Sequence, residues 1–239
     1  MGIFNEHRHF NAKIEFLIIY TQTKAATVDA FISKQIDNSA LRSHPWTSMV
    51  ADDASVYMDF KKQPKLVRSA LEDLIPFKKW GFVEQFYALI EWINSPHSLL
   101  ESNDCVFNPT EDNPDQQYPY AKKCSARLMI LFRDIPENCQ AKSIAWLMQN
   151  LLLQISASKP GFKAGALCLS QSPTCYLVLG SKPDTGGMGH QVTLTFFAYG
   201  KNDRRCYENM QEVLVIAHSS LLRINKRIQN GEVDALYGA

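Results

Sequence analysis

No Cys-x-x-Cys pair, no Gly-Lys-Ser/Thr step and no Gly-x-Ser-x-Gly elbow occurs in this chain. Each absence removes a chemistry. A structural zinc is gripped by ligands at short spacing, whereas the six cysteines (105, 124, 139, 168, 175 and 206) are scattered. A phosphate cradle needs glycines leading from a strand into a helix, so that backbone N–H groups face the anion. The Gly-rich segment here, Lys182 to His190, leads toward another strand-like run and reads as a hairpin connection. No two histidines stand four apart with a glutamate between them, which excludes a zincin-type metal site. No cofactor and no bound metal are expected.

A dominant charge is missing too. Lys and Arg total 25 against 24 Asp and Glu, a formal net charge of +1. No global field draws nucleic acid or an anionic membrane, so electrostatic recognition must be local. Nothing approaches the roughly 18 apolar residues of a spanning helix. The apolar stretch Phe16 to Tyr20 is too short for an export signal, and Glu6 stands where a myristoylation motif wants Ser or Thr. These features point to a soluble, cytoplasmic protein.

What is present is a core. Apolar residues make up 46% of 239, enough for one large domain. Residues 12–21 and Val56 to Phe60 read as strands. Val28, Phe31, Ile32 and Ile36 have helical spacing over 24–37, with an irregular stretch over 38–54. Pro64 can open a helix that runs to Pro76, and Phe82, Phe86, Leu89 and Ile93 mark a second. Ala126 to Phe132 reads as a buried strand. Asp134 and Glu137 are spaced like a cap and its reciprocal partner before an apolar helix over 138–157. That helix looks greasy on most faces. Segments 165–170 and 174–180 suggest paired strands with Cys168 and Cys175 opposite each other, read as small buried apolar residues rather than a disulfide, and 190–199 suggests a third strand. Tyr207, Met210, Leu214, Ala217, Leu221, Ile224 and Ile228 then recur at steps of three and four, the stripe of a long helix covering its own sheet. The expected class is α+β: a mixed, largely antiparallel sheet with helices packed mainly on one face. The chain reads as one domain, 1–239, with two sub-halves (1–96 and 126–239) joined by an irregular loop at 97–125.

Candidate chemistry is sparse. His7 and His9 read as solvent-exposed, His44 before Pro45 as a turn residue, and His218 as a half-buried histidine beside the core stripe. Carboxylates gather at Asp52-Asp53 and at Glu101/Asp104, where solvated or capping roles outweigh two-metal or glycosidase chemistry. The 97–125 stretch stands out more. Its acids Glu101, Asp104, Glu111, Asp112 and Asp115 are interleaved with prolines and with Phe107, Tyr118 and Tyr120. Acids steer a basic partner, aromatics anchor an interface, and prolines lower the ordering cost. A surface loop with its tyrosines folded back on the core fits the same composition.

Two segments resemble bacterial toxin-immunity proteins, including those of type VI secretion systems: Glu91 to Cys105 (EWINSPHSLLESNDC) and Arg127 to Asp134 (RLMILFRD). The resemblance implies a cytosolic α+β protein that neutralises a cognate toxin by direct binding, without catalysis. Glu101, Asp104, Glu111, Asp112 and Asp115 would then face a basic toxin cleft, with Tyr118 or Tyr120 as the hot spot. Inhibitors of nucleases are often markedly acidic and this chain is near neutral, so the acidity at 101–115 would supply the complementarity. The alternative is a small hydrolase or nucleotide-processing enzyme using His44 or His190 with a nearby carboxylate. A homo-oligomer is left open, and an exposed apolar patch on the last helix would be its sign.

Overall fold

The computed structural model describes residues 29–34, 36, 42–45, 59–113, 119–158, 164–177 and 187–236. In chain order these form β1 (Asp29–Ile32), β2 (Arg42–His44), a one-turn α1 (Val67–Ala70) between short 3₁₀ turns, α2 (Gly81–Ile93), β3 (Leu100–Asp112), β4 (Lys122–Phe132), α3 (Ala141–Ser156), β5 (Gly165–Tyr176), β6 (Gly187–Gly200) and α4 (Asp203–Gln229). The strands make one mixed sheet in the order β1-β5-β6-β4-β3, with β2 also on β5. Pairing is antiparallel between β3 and β4, β4 and β6, and β5 and β6. It is parallel only where β1 and β2 meet β5.

Side-chain alternation explains the layers. Leu128 and Ile130 of β4, Leu194 and Phe196 of β6, and Leu167 and Leu169 of β5 all point to one face. There α4 lies between α2 and α3 and buries Met210, Leu214, Leu221 and Ile224 against them. Each such side chain stabilises the fold by about 1.5–3 kcal/mol through area removed from water. This is the expected α+β sheet with its helices on one face, and the long stripe is core. Asn202 caps α4 by accepting a hydrogen bond from the Arg205 N–H at 3.0 Å.

Several local expectations are corrected. Residues 29–32 form a strand, although 24–37 has helical spacing. Four residues satisfy either period, and a free edge of β5 pairs them (Ala30 with Leu167, Ile32 with Leu169). The stretch at 97–125 is mostly a hairpin. Register shifts between Ser102 and Asp104 and between Asn108 and Glu111 break the alternation that would have marked β3 as a strand. Segments 165–170 and 174–176 belong to one strand, so Cys168 and Cys175 cannot face each other across a hairpin, and both are free thiols. Pro173, which offers no N–H, falls between the stretches of β5 that β1 and β2 cover. Asp134 makes no side-chain cap, and the Glu137 carboxylate instead accepts from Ser143 Oγ. The apolar helix α3 packs on both α4 and the sheet, as its composition implies, and leaves Leu153 62% exposed on its outer face.

Two further readings shift rather than fail. The second half of the Gly-rich segment is strand: a side chain at Gly189 would come within 2.6 Å of the Asn138 carbonyl oxygen. Pro64 opens only a 3₁₀ turn and the single turn of α1 before a second 3₁₀ turn, Glu72–Phe77. The strand expected at 12–21 lies outside the described residues. Of the one expected at 56–60, only Asp59 and Phe60 are described, at a turn.

Candidate functional site

The sheet face opposite the helices is polar, yet much of it is buried. Ser172 faces Gln191 and Ser170 faces Thr193 across β5 and β6. Ser172, Gln191 and Thr193 are each at most 2% exposed. Such groups cost free energy unless paired, and here they pair. Ser172 Oγ lies 2.7 Å from Thr193 Oγ1, and the Asn103 side-chain amide donates to Gln191 Oε1 at 3.0 Å. Gln191 in turn donates to the Met129 sulfur at 3.2 Å.

One carboxylate organises the end of this face. Glu101, facing Leu131 near the start of β3, is 3% exposed. His44 Nε2 lies 2.6 Å from its Oε1, Lys61 Nζ 2.7 Å from its Oε2, and Arg133 Nε 3.7 Å from the same Oε2. Burial pushes the Glu101 carboxyl up, but the hydrogen bonds from His44 and Lys61 outweigh it and leave the group below the ordinary range. His44 also packs at 5.8 Å against Tyr176, whose hydroxyl donates to the His190 carbonyl at 2.8 Å.

The topology makes this contact unusual. His44 belongs to β2, beyond β5, while Glu101 belongs to β3 at the opposite edge. Asn103 Nδ2 also reaches the Ser43 carbonyl at 3.4 Å. The two edges of the sheet therefore meet over the polar face, and the register shift beside Asn103 supplies local bend. The His44–Glu101 pair is the bolt of that closure.

The other end of β3 is different. Thr110 is tied to α4 by its N–H donating to the Tyr207 hydroxyl at 3.4 Å, and Phe107 stacks on Phe82 at 4.7 Å. Beyond that anchor Glu111 and Asp112 are exposed. Lys122 Nζ lies 2.8 Å from Asp112 Oδ1, holding that carboxyl below its usual value, with the Asp112 side chain 94% exposed. Tyr120 is half-buried, stacked 6.5 Å from Tyr199, and its carbonyl accepts from Asn113 Nδ2 at 3.0 Å. No described strand pairs with the outer side of β3.

The seven candidate binding residues are thus not one patch. Glu101 is inside the fold. Asp104, midway, is held 2.8 Å from Arg127 Nη2. Glu111, Asp112 and Tyr120 share the far end of the hairpin, and Asp115 and Tyr118 lie outside the described residues. Ten residues of strand separate the ends, roughly 33 Å if fully extended. Lys61, Arg133, Asn103 and Gln191 carried no chemical signal in the sequence, although Asn103 and Arg133 fall one in each of the two segments that carry the immunity-protein resemblance.

The other histidines are explained locally. His218 packs against Trp92 at 5.2 Å, and burial lowers its pKa. His190 is likewise lowered by burial, and no described carboxylate pairs with it. Among the described residues no group of three or more His, Cys, Asp or Glu could hold a metal, and no helix is long and apolar enough to cross a membrane. No protein-family model, no curated protein and no solved structure matches the chain.

Proposed function

We propose that this chain is a non-enzymatic binding protein of the toxin-immunity kind, cytoplasmic, which engages a basic protein partner through the outer end of the β3–β4 hairpin. The observation that carries the reading is the placement of Glu111 and Asp112. Both are exposed at the end of an edge strand, beside a half-buried tyrosine, on a hairpin anchored to α4 through Tyr207. A rigid edge presenting acids can steer a cationic surface and dock it with little ordering cost. Glu101 drops out of the binding set, since His44 and Lys61 already engage both its oxygens.

The test is calorimetric titration with a cognate toxin, sought first among the products of genes adjacent to this one. Glu111→Ala/Asp112→Ala should weaken binding about tenfold or more, as the loss of two rim acids with a shared steering role implies. Unchanged affinity overturns the hairpin as the interface.

A specific observation favours a second reading, a small hydrolase. His44 Nε2 contacts Glu101, and His44 Nδ1 is buried with no hydrogen-bond partner among the described residues, so a substrate would have to open the site to reach it. A histidine oriented by a carboxylate through one nitrogen is left with the other as a general base. Turnover of phosphodiester or ester substrates by the purified chain, lost in His44→Gln, would establish that reading in place of the first.

A further inference from the structure

Two sulfurs touch beneath the outer end of the β3–β4 hairpin. Cys124, near the start of β4, and Cys206, in the first turn of α4, are both buried, and their sulfurs lie 3.2 Å apart. The fold brings them together although they stand 82 positions apart in the chain. Cys124 pairs with Ala198 of β6, and that strand ends at Gly200. A side chain at Gly200 would collide with the Cys206 amide nitrogen, so glycine is what lets α4 begin this close to the sheet.

Buried cysteines commonly serve as small apolar filler. This pair is placed for more. The Cys206 thiol has the Ala198 carbonyl oxygen as an acceptor at 3.1 Å, and the Cys206 carbonyl oxygen lies 3.9 Å from the Cys124 sulfur. The two carbonyls can take both S–H groups, which leaves sulfur facing sulfur. A disulfide bond is about 2.05 Å long, so the sulfurs have roughly 1.2 Å to close, within reach of small side-chain rotations. The neighbouring Cys206 thiol, together with burial, pushes the Cys124 thiol far up. The thiolate is the reactive form, so the folded pair exchanges slowly and oxidation belongs to the folding chain. The position also matters. Tyr207, next to Cys206, holds Thr110 of β3, and Lys122, two residues before Cys124, holds Asp112.

We propose that Cys124 and Cys206 form a disulfide when the chain folds in the presence of a disulfide oxidant such as oxidised glutathione, fastening β4 to α4. One cysteine thiolate attacks the glutathione disulfide and expels the first glutathione; the other attacks the mixed disulfide and expels the second. The two electrons and two protons of the cysteine pair leave with two molecules of reduced glutathione. A reducing cytosol keeps the pair as a dithiol, so the bond responds to where the chain folds. It does not depend on the hairpin being an interface. The full chain refolded from urea with oxidised glutathione, alkylated without reduction and digested, should yield a peptide pair joined through Cys124 and Cys206. Its thermal midpoint should exceed that of the same chain refolded with a reducing thiol by about 10 °C, since the bond closes a long loop. Cys124→Ala and Cys206→Ala should each lose the cross-link and the difference between oxidised and reduced samples, whatever their baseline stability, and Cys139→Ser should keep both. Alkylated Cys124 and Cys206 in the oxidised wild type, either one joined to a different cysteine, or an oxidised midpoint no higher than the reduced one overturns the proposal.

Discussion

Glu101 and Asp112 stand near the two ends of one strand, carry the same charge, and have opposite surroundings. Glu101 is enclosed with His44, Lys61 and Arg133 where the sheet's edges meet, while Asp112 extends into solvent beside Lys122. The difference shows that charge alone does not mark a binding residue. A carboxylate buried with both oxygens engaged by its own chain has little left to offer a partner. One tethered by a single exposed lysine can exchange that lysine for another cation at small cost.

The largest break in the comparison is Glu101→Ala. It leaves His44 buried without its acceptor and two cations without their anion, so unfolding free energy should fall by about 3 kcal/mol in urea titrations. A loss too small to measure would mean that the pair does not hold the edges together. Next in size is Asn225→Ala. Its side chain accepts from the Leu99 N–H at 2.7 Å and donates to the His97 carbonyl at 2.9 Å, pinning the entry to β3 on α4. Removing it should cost about 1–2 kcal/mol by the same assay, because two backbone groups lose their partner.

Acid sharpens the contrast further. The folded Glu101 carboxyl is held below its ordinary value, so as pH falls the unfolded chain takes up this proton first. The stabilisation is complete above the ordinary glutamate range and is lost as pH drops through the folded value. Urea midpoints of wild type and Glu101→Gln should therefore differ most near neutrality and converge at acid pH; a constant gap would deny the linkage. The smallest effect belongs to the other end: Glu111→Ala/Asp112→Ala should leave the thermal midpoint unchanged, and a clear drop would show that these acids support the fold.

Periodicity carried α2, α3, β4, β6 and α4, because each is long enough for one period to outvote the other. It failed at β1, where four residues satisfy both, and at β3, where two register shifts scramble the alternation. The acids of β3 were legible as acids. Which of them is buried was not, because that depends on what crosses the polar face. His44 and Glu101 lie 57 positions apart on opposite edges of the sheet, and no local pattern links them.

The sequence by itself determined the α+β class, the apolar face of the sheet and the helix that covers it, since burial of apolar area follows from spacing along the chain. Only the tertiary structure decided that Glu101 belongs to the interior and Glu111 and Asp112 to the surface. Spacing assigns a side chain to one face of an element, but the depth of that face is set by segments arriving from elsewhere in the chain.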